Sequence, residues 1–331
     1  MLYLITKNFL EVFFVSDRYP MKLKPHVVET VWGGNRLAKE YGIDPQGRAN
    51  CAEAWLLSTR ADASSIIMNS KFAGMSLGKL YAGHRHLFGR KCIGREDFPM
   101  LIKFIDALDD LSVQVHPRDS DMAVLQPGES GKAECWYILD ARPGAKLYLG
   151  FNKVITKSQF AEAIGNNTLM DFVQAFDVKK GDFFYIPAGT LHAIGKGVLL
   201  AEVQQNSDTT YRIYDYNRLQ NGKPRALHLG QAMDVTDLAP YEVQQQISKT
   251  LVSNEYFTVK ESSGRFGFSS AANADSFISL VFIEADKASC KLSCETCNEI
   301  LTVEKGDSIF IPAGLGEFKI EGMCKALVTQ L

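Results

Sequence analysis

The stretch Lys180-Gly-Asp-Phe-Phe-Tyr-Ile-Pro-Ala-Gly-Thr-Leu-His192 is the part of this chain that decides its fold. Gly181 gives the backbone freedom before a short apolar run, Pro187 fixes its own φ angle after that run, and Gly189 permits a tight turn. This order predicts a strand, a turn and a second strand that begins at His192. A strand alternates its side chains between two faces, so that histidine can point inward, where an imidazole is able to bind a metal ion.

The pattern recurs later in the chain as Lys305-Gly-Asp-Ser-Ile-Phe-Ile-Pro-Ala-Gly314, offset by 125 residues (305 minus 180). Two copies predict two related β-barrels. Glu317 stands in the second copy where His192 stands in the first. We therefore expect the C-terminal barrel to have lost its metal and to serve by covering sheet edges and adding stability. A histidine after a Pro-x-Gly turn is, by itself, equally well explained by packing or by solvation.

Candidate partners for His192 lie upstream, in a strand where Leu111, Val113 and Val115 alternate with polar residues. Gln114 and His116 fall on one face of that strand, while the aliphatic side chains pack behind it. A second predicted strand, Gly131 to Leu139, carries Glu134 beside an aromatic pair. Amide oxygen, imidazole and carboxylate donors suit zinc and also manganese or iron, and we expect zinc.

The motif around His192 resembles the second conserved motif of the cupin superfamily, and the whole chain resembles a type I mannose-6-phosphate isomerase. Glu134 and His192 are 58 positions apart (192 minus 134), too few for the helical insert of the long class, so the resemblance is to the short class. The matching stretches are Val31 to Leu37, Glu53 to Trp55, Phe98 to Asp106, Leu111 to Pro117, Lys132 to Glu134, Ile186 to His192 and Glu202 to Arg212.

This resemblance implies a mainly β fold of two cupin-like jelly-roll barrels with a few short helices. It implies one zinc ion per chain, held by four ligands: Gln114, His116, Glu134 and His192. It also implies an enzyme that interconverts mannose 6-phosphate and fructose 6-phosphate through a cis-enediolate. An ion bound to the substrate oxygens would stabilise the negative charge of that species, provided that the site keeps a position open for them.

Further roles follow from the same resemblance. Arg212, ten residues after Glu202, matches the catalytic arginine of the family, and a guanidinium can donate two parallel hydrogen bonds to an enediolate or a phosphate. An ion pair with nearby Asp215 is the alternative for Arg212. Lys132 ranks first as the proton-handling residue, and Glu202 and Asp208 are orienting groups or alternative bases.

The substrate end of the site is expected to include Lys103 and Ser112 together with Arg212. Lys103 lies between apolar residues of a strand, and Ser112 shares the polar face of Gln114. Both match family positions near the substrate. A strand lysine that simply reaches solvent is the alternative for Lys103.

Two other functions stay open at this point. A non-catalytic sugar-binding cupin would have lost part of the constellation, whereas Lys132, Glu134, His192, Glu202 and Arg212 are all present. A different metal-dependent enzyme is the second alternative, either another sugar-phosphate isomerase or an iron-dependent oxygenase. An oxygenase favours two histidines and one carboxylate, and neither Gln114 nor Arg212 is needed there.

Composition favours a small-molecule partner. The 331 residues carry a net charge of only −2, which gives no field to attract nucleic acid or an acidic membrane. The hydrophobic share of 46% is ordinary for a globular protein, and no apolar run reaches the roughly 20 residues of a membrane helix. Seven cysteines without pairing logic fit a reducing cytoplasm. We expect a cytoplasmic monomer or homodimer.

The length favours two domains. We predict an N-terminal extension over 1–18, a catalytic cupin domain over 19–245 and a degenerate cupin-like domain over 246–331, with the boundary near Val243 to Thr250. An edge strand is predicted over 22–32, and helices over 36–41, 77–87 and 157–172. His84 and His86 are expected to face solvent. Cys294-Glu-Thr-Cys297 is expected to lie in a hairpin rather than in a zinc ribbon, which needs a second pair.

Overall fold

The computed structural model describes residues 17–126, 128–220, 222–243, 249–297 and 299–331. Of the predicted N-terminal extension, only residues 17 and 18 fall within these ranges. The predicted domain boundary falls on residues 244–248, which also lie outside them. Both divisions therefore stay predictions.

The strands of the described ranges are short, mostly four to eight residues, and they carry most of the regular structure. The first twelve are β1 (Met21–Lys24), β2 (His26–Val28), β3 (Glu53–Leu57), β4 (Ile66–Ile67), β5 (Met100–Asp106), β6 (Val113–Val115), β7 (Glu134–Ala141), β8 (Lys146–Phe151), β9 (Val173–Asp177), β10 (Phe183–Ile186), β11 (His192–Ile194) and β12 (Val198–Gln205). The remainder are β13 (Tyr211–Tyr214), β14 (Leu219–Gln220), β15 (Lys223–Pro224), β16 (Thr250–Ser253), β17 (Thr258–Gly264), β18 (Gly267–Ala272), β19 (Ile278–Ala285), β20 (Lys291–Cys294), β21 (Leu301–Thr302), β22 (Ser308–Ile311), β23 (Gly316–Glu321) and β24 (Cys324–Gln330).

The helices are short and lie mainly in the first half of the described chain. They are α1 (Arg36–Tyr41), α2 (Leu77–Gly83), α3 (Asp119–Leu125), α4 (Lys157–Gly165) and α5 (Leu229–Val235), with single 3₁₀ turns at Ser70–Phe72, Arg85–Leu87, Arg90–Cys92 and Leu169–Asp171. The helix predicted over 36–41 is confirmed. The two longer predictions each end early and continue as a 3₁₀ turn, and α3 and α5 were not predicted, because one or two helical turns give too short a periodic signal.

The described strands form four large sheets and one small hairpin, β14-β15. The six-stranded sheet has the order β10-β7-β12-β5-β3-β2, and the five-stranded sheet β13-β6-β11-β8-β9. The seven-stranded sheet has the order β16-β17-β24-β19-β22-β1-β4, and the four-stranded sheet β18-β23-β20-β21. These pairs of sheets confirm the predicted mainly β fold with two barrels.

Alternation along β7 shows how the sheets stack. Trp136 and Ile138 pack with residues of the five-stranded sheet, whereas Tyr137 and Leu139 on the other face join a core that includes Phe310 of the seven-stranded sheet. A strand buried on both faces is expected to be apolar throughout, apart from residues with a special role. The six-stranded sheet is thus a middle layer, with one face toward the other barrel and one toward the interior of its own.

The two copies of the repeated motif have matching structures. Each supplies one strand, β10 and β22, and the glycine before it has a positive φ of 91° at Gly181 and 95° at Gly306. The aspartates that follow accept equivalent backbone hydrogen bonds, from Lys179 to Asp182 (2.9 Å) and from Glu304 to Asp307 (2.8 Å). Only glycine adopts that φ range without cost, which explains why the motif repeats at sequence level.

The strand predicted over 22–32 differs in the structure. It divides at Pro25 into β1 and β2, since proline lacks the N–H that a continuous strand must donate. Only β2 lies at a sheet edge. β1 lies between β4 and β22, with Met21 opposite Phe310, so the start of the described chain pairs with its C-terminal part.

The cysteines lie in cores and at a turn, as expected, but the bond between two of them was not predicted. Cys51, Cys92, Cys135, Cys290 and Cys324 are buried thiols. Cys294 and Cys297 are bonded to each other at the turn after β20. None of the helices in the described ranges is long and apolar enough to cross a membrane.

Candidate metal centre

Three adjacent strands of the five-stranded sheet bring predicted site residues side by side. Gln114 on β6 lies directly opposite His192 on β11 and, on its other side, opposite Arg212 on β13. Residues directly opposite each other on antiparallel strands share one face of the sheet. His116 follows β6 by one residue and belongs to the same face as Gln114.

The six-stranded sheet supplies a second row. Glu202 on β12 lies opposite Trp136 on β7 and opposite Lys103 on β5, and Lys103 in turn lies opposite Trp55. Glu134 is two residues before Trp136 and therefore points to the same side of the sheet. The Trp136 and His192 rings are 5.4 Å apart between centroids, so the two rows face each other.

His116, Glu134 and His192 converge in the interior. Their ligand atoms all lie within 4.8 Å of one another, and each residue is about 1% exposed. One carboxylate oxygen of Glu134 is 3.5 Å from Nε2 of His116, and the other is 3.4 Å from Nε2 of His192. Two imidazoles and a carboxylate form a donor set that suits zinc and other borderline divalent ions.

Both histidines are held in the tautomer that a metal ligand needs. Nδ1–H of His116 donates to the carbonyl oxygen of Thr209 (2.8 Å), and Nδ1–H of His192 donates to that of Thr190 (2.9 Å). Both Nε2 atoms therefore carry a lone pair, which can accept a hydrogen bond or bind a metal ion. Burial lowers the pKa of His192 to about 4, and burial, with the charge of Lys132 second, lowers the pKa of His116 well below its usual value. Both rings are neutral at physiological pH.

The ammonium group of Lys132 already lies in this cluster. Nζ of Lys132 donates to Nε2 of His116 (2.8 Å) and to one oxygen of Glu134 (2.7 Å). The other oxygen of Glu134 is buried without a hydrogen bond. Burial, and then the charge of Glu202, raise the pKa of Glu134 to about 8. An unbonded carboxyl oxygen beside two neutral imidazoles is a donor set that fits a divalent cation.

Gln114 lies at the edge of the cluster. Its amide nitrogen donates to Nε2 of His192 (3.3 Å), and its oxygen accepts from the hydroxyl of Ser112 (3.2 Å). A flip of the amide exchanges its two terminal atoms and turns the oxygen toward the histidines, with no change in backbone position. Gln114 is therefore within reach of the same centre as a fourth donor.

Glu202 lies beside the cluster with partners of its own. It accepts from Nε1 of Trp136 (2.9 Å) and pairs with Nζ of Lys103 (2.8 Å). Burial alone would raise its pKa, but the charges of Lys103 and Lys132 outweigh burial and lower the pKa of Glu202 to about 2. Nζ of Lys103 also lies 3.4 Å from Glu53, so the charge of this lysine is already compensated by two carboxylates.

Arg212 is half-buried and makes only neutral contacts. Its Nε donates to the hydroxyl of Ser112 (3.3 Å) and its terminal nitrogen to the carbonyl oxygen of Ala226 (3.0 Å). Asp215, the alternative partner considered from the sequence, pairs instead with Arg218 and Arg225. Within the described ranges, Arg212 forms no ion pair with a carboxylate.

Asp208 differs from the other predicted residues. Its side chain is 61% exposed and pairs with Arg60 at 2.6 Å, outside the buried cluster. Ser112, Gln114, His116, Lys132, Glu134, His192, Glu202, Lys103 and Arg212 are linked to one another through the contacts above.

Comparison with known proteins identifies the family of this chain. Residues 21–142 match the family model described as phosphomannose isomerase type I, catalytic domain, and residues 247–331 match the model described as mannose-6-phosphate isomerase, cupin domain. The mannose-6-phosphate isomerase ManA of Bacillus subtilis is 37% identical over 326 residues, which cover 94% of this chain and 99% of that protein. The chain belongs to the type I phosphomannose isomerase family.

Two further proteins are similar to this chain, one in sequence and one in structure. A mannose-6-phosphate isomerase of Streptococcus mutans is 41% identical over 249 residues, covering 72% of this chain and 77% of that one. The crystal structure of the mannose 6-phosphate isomerase of Bacillus subtilis superposes with a TM-score of 0.86 at 33% identity, covering 94% of this chain and 99% of that chain.

Several residues that complete the centre of this phosphomannose isomerase family member were not assigned from the sequence. Trp136 bonds Glu202, and Glu53 accepts from both Trp55 and Lys103. The spacing of two between Glu134 and Trp136, and between Glu53 and Trp55, was the available signal, because both pairs share a strand face. The carbonyl oxygens that orient the histidines had no signal, since a backbone group is independent of residue type.

Proposed function

We propose that this protein is a zinc-dependent isomerase that interconverts mannose 6-phosphate and fructose 6-phosphate. The observation that carries the proposal is the convergence of His116, Glu134 and His192, buried and with both imidazoles neutral, in a member of this family. The reaction moves one proton between C2 and C1 of the sugar. Its difficulty is that the C2 hydrogen is hardly acidic, so negative charge on the oxygens must be stabilised.

Four residues would hold one zinc ion per chain: Gln114, His116, Glu134 and His192. When bound, such an ion supplies Lewis-acid stabilisation of negative charge on the sugar oxygens. The unpaired oxygen of Glu134 and the fixed Nε2 lone pairs of both histidines support this assignment. The amide of Gln114 would present its oxygen after a flip.

Lys132 is the residue that we assign to proton handling. Its ammonium is buried and bonds two of the proposed ligands, His116 and Glu134, so an ion bound at that position would displace it. An amine at this place is positioned to hold or move the substrate proton. Glu202 is a weaker candidate, because Lys103 and Lys132 hold its pKa low. The exposed ion pair of Asp208 with Arg60 favours it least.

Arg212 and Ser112 are assigned to the anionic part of the substrate. Arg212 has no carboxylate partner among the described residues, and it reaches Gln114 through the hydroxyl of Ser112. A guanidinium with only neutral contacts can still neutralise an enediolate or a phosphate. Lys103 was expected to share this role, but its pairing with Glu202 and Glu53 favours a supporting one, in which it keeps Glu202 charged.

The setting proposed for this activity is the cytoplasm, with the protein as a monomer or homodimer. Five of the seven cysteines are buried thiols, which favours a reducing compartment, although Cys294 and Cys297 form a local disulfide. The net charge of −2 favours a small sugar phosphate as partner.

A coupled assay for fructose 6-phosphate tests the function directly. We expect turnover of mannose 6-phosphate that is lost on chelation and regained on addition of zinc. His192→Ala should lose both zinc and activity, since one of the ligands is gone. His86→Ala, at an exposed histidine outside the centre, is the matched control and should keep both. Unchanged turnover in the chelated enzyme or in His192→Ala contradicts the proposal.

A further inference from the structure

The carboxylate nearest to Arg212 along the chain is bonded to two other arginines. Asp215, three residues on, is only 5% exposed. One of its oxygens accepts from Arg218 (2.6 Å) and the other from Nε of Arg225 (2.7 Å), and Arg225 makes a second bond to the first oxygen. Both oxygens of Asp215 are thus occupied, and Arg225 alone spans the pair in a bidentate contact.

These groups belong to one closed loop. The N–H of His228 donates to the carbonyl oxygen of Arg212 (2.7 Å), and the N–H of Arg212 donates to Nδ1 of His228 (3.2 Å). The chain between them returns to its own start, so Asp215, Arg218 and Arg225 stay close to Arg212. Burial lowers the pKa of Arg212 most, and the positive charge of Arg225 lowers it further. The negative charge of Asp215 raises the pKa of Arg212.

We propose that Arg225 is a positioning residue, which holds Asp215 in a bidentate ion pair and so prevents this carboxylate from neutralising Arg212. The inference rests on the proposed function, in which Arg212 meets the anionic substrate. Among Arg212, Arg218, Arg225 and Asp215 the charges sum to +2, three positive and one negative. Without Arg225 the sum falls to +1, and the oxygen of Asp215 that accepts from Nε of Arg225 loses its partner.

The sum of charges around Arg212 predicts that a second substitution can restore the kcat lost in a first one. Arg225→Met should lower kcat about tenfold, with a smaller change in KM, because charge stabilisation in the transition state is lost while the ligands stay in place. Adding Asp215→Asn to Arg225→Met restores the sum of +2 and should recover most of kcat. Arg90→Met, which breaks an exposed ion pair with Asp275, is the matched control and should keep wild-type kcat.

The kinetics of the Arg225 and Asp215 variants can overturn the inference in three ways. Wild-type kcat in Arg225→Met overturns the inference, and so does an equal loss in the single and double variants. A rise in KM that Asp215→Asn does not reverse also overturns it, since Arg225 would then contact substrate itself. Should Arg225→Met fail to fold, Arg225→Lys keeps the charge without the bidentate contact and is expected to show a smaller loss, again reversed by Asp215→Asn. An inactive wild-type enzyme would instead overturn the proposed function.

Discussion

Glu134 and Glu202 are both buried strand carboxylates, yet their neighbours give them opposite properties. Burial and Glu202 raise the pKa of Glu134 to about 8, whereas Lys103 and Lys132 hold that of Glu202 at about 2 despite burial. Each carboxylate has one lysine ammonium beside it, Lys132 for Glu134 and Lys103 for Glu202. The other oxygen of Glu202 accepts from the indole N–H of Trp136, whereas the other oxygen of Glu134 has no hydrogen bond. Paired carboxylates with different environments are expected to have different roles.

Replacing each carboxylate by its amide tests this division. Glu134→Gln should reduce bound zinc after dialysis from about one ion per chain to a small fraction, and activity with it, because a neutral amide is a much weaker ligand. Glu202→Gln is the matched change on the next strand. The zinc affinity of Glu202→Gln should fall by no more than roughly 10- to 100-fold, the range typical of a group that supports a ligand, while kcat also falls.

Metal analysis and the coupled assay, run on the same preparations, give the answer. Full zinc content in Glu134→Gln would contradict the ligand assignment. Loss of zinc from Glu202→Gln as complete as from Glu134→Gln would show that the two carboxylates are not separated in function.

At the scale of elements, the segment from β13 to α5 contains a set of arginine contacts to Asp215. The hairpin β14-β15 is exposed, whereas the ion pairs beneath it are largely buried, with Arg218 and Arg225 each 15% exposed at the side chain. A buried carboxylate with two guanidinium partners contributes stability only while it is charged.

This predicts a pH dependence. Burial alone would raise the pKa of Asp215, but hydrogen bonds from Arg225 and Arg218 outweigh it and lower the pKa below 3.8. A carboxyl with a lowered folded-state pKa stabilises the protein above its unfolded pKa of about 3.9, and the contribution disappears as the pH falls through the folded value. Asp215→Asn should therefore cost about 3 kcal/mol of unfolding free energy at pH 6 and less at pH 3.

Urea unfolding at both pH values measures the difference between wild type and variant. Asp234→Asn, at an exposed aspartate of α5, should cost under about 0.5 kcal/mol at either pH. A cost for Asp215→Asn that stays constant or grows on acidification would contradict the prediction.

At the scale of the whole molecule, one buried cluster joins the two barrels, and each barrel has a further cluster of its own. The largest buried cluster contains Phe104 and Tyr137 of the six-stranded sheet together with Phe310 and Leu327 of the seven-stranded sheet. β1 adds a strand from the first half to the second, next to β22. The predicted division at residue 245 remains a proposal, and these contacts predict that the two halves unfold together.

Met21→Ala tests the shared core. Met21 is fully buried on β1, so its truncation should lower the unfolding free energy by about 2–4 kcal/mol. Tryptophan fluorescence reports only the first half, where Trp32, Trp55 and Trp136 lie, while far-UV circular dichroism reports strands of both. The two transitions should coincide in wild type and variant.

Met68→Ala is the matched control, since this methionine is 52% exposed, and it should change stability by no more than about 0.5 kcal/mol. Separate fluorescence and dichroism transitions in the wild type would show that the barrels unfold independently.

Much of the fold and part of the candidate site were predictable from the sequence. The repeated Gly-Asp and Pro-x-Gly pattern predicted both barrels, because a positive φ and a fixed proline restrict the backbone wherever they occur. The period of two placed Gln114 and His116 on one face. The short helices α3 and α5 and the division of the first strand at Pro25 were not predicted, since one-turn helices and single strand breaks depend on packing more than on local pattern.

The sequence by itself determined the repeated strand-turn pattern and the residue types available as donors, both of which depend on residues close together along the chain. Only the tertiary structure decided how those donors meet. In the structure, Asp208 forms an ion pair with Arg60, and Lys103 pairs with two carboxylates. Asp215 pairs with Arg225 and not with Arg212. The physical reason is that charge pairing acts through space, and in a fold of stacked sheets each charge has several possible partners whose distances no local pattern encodes.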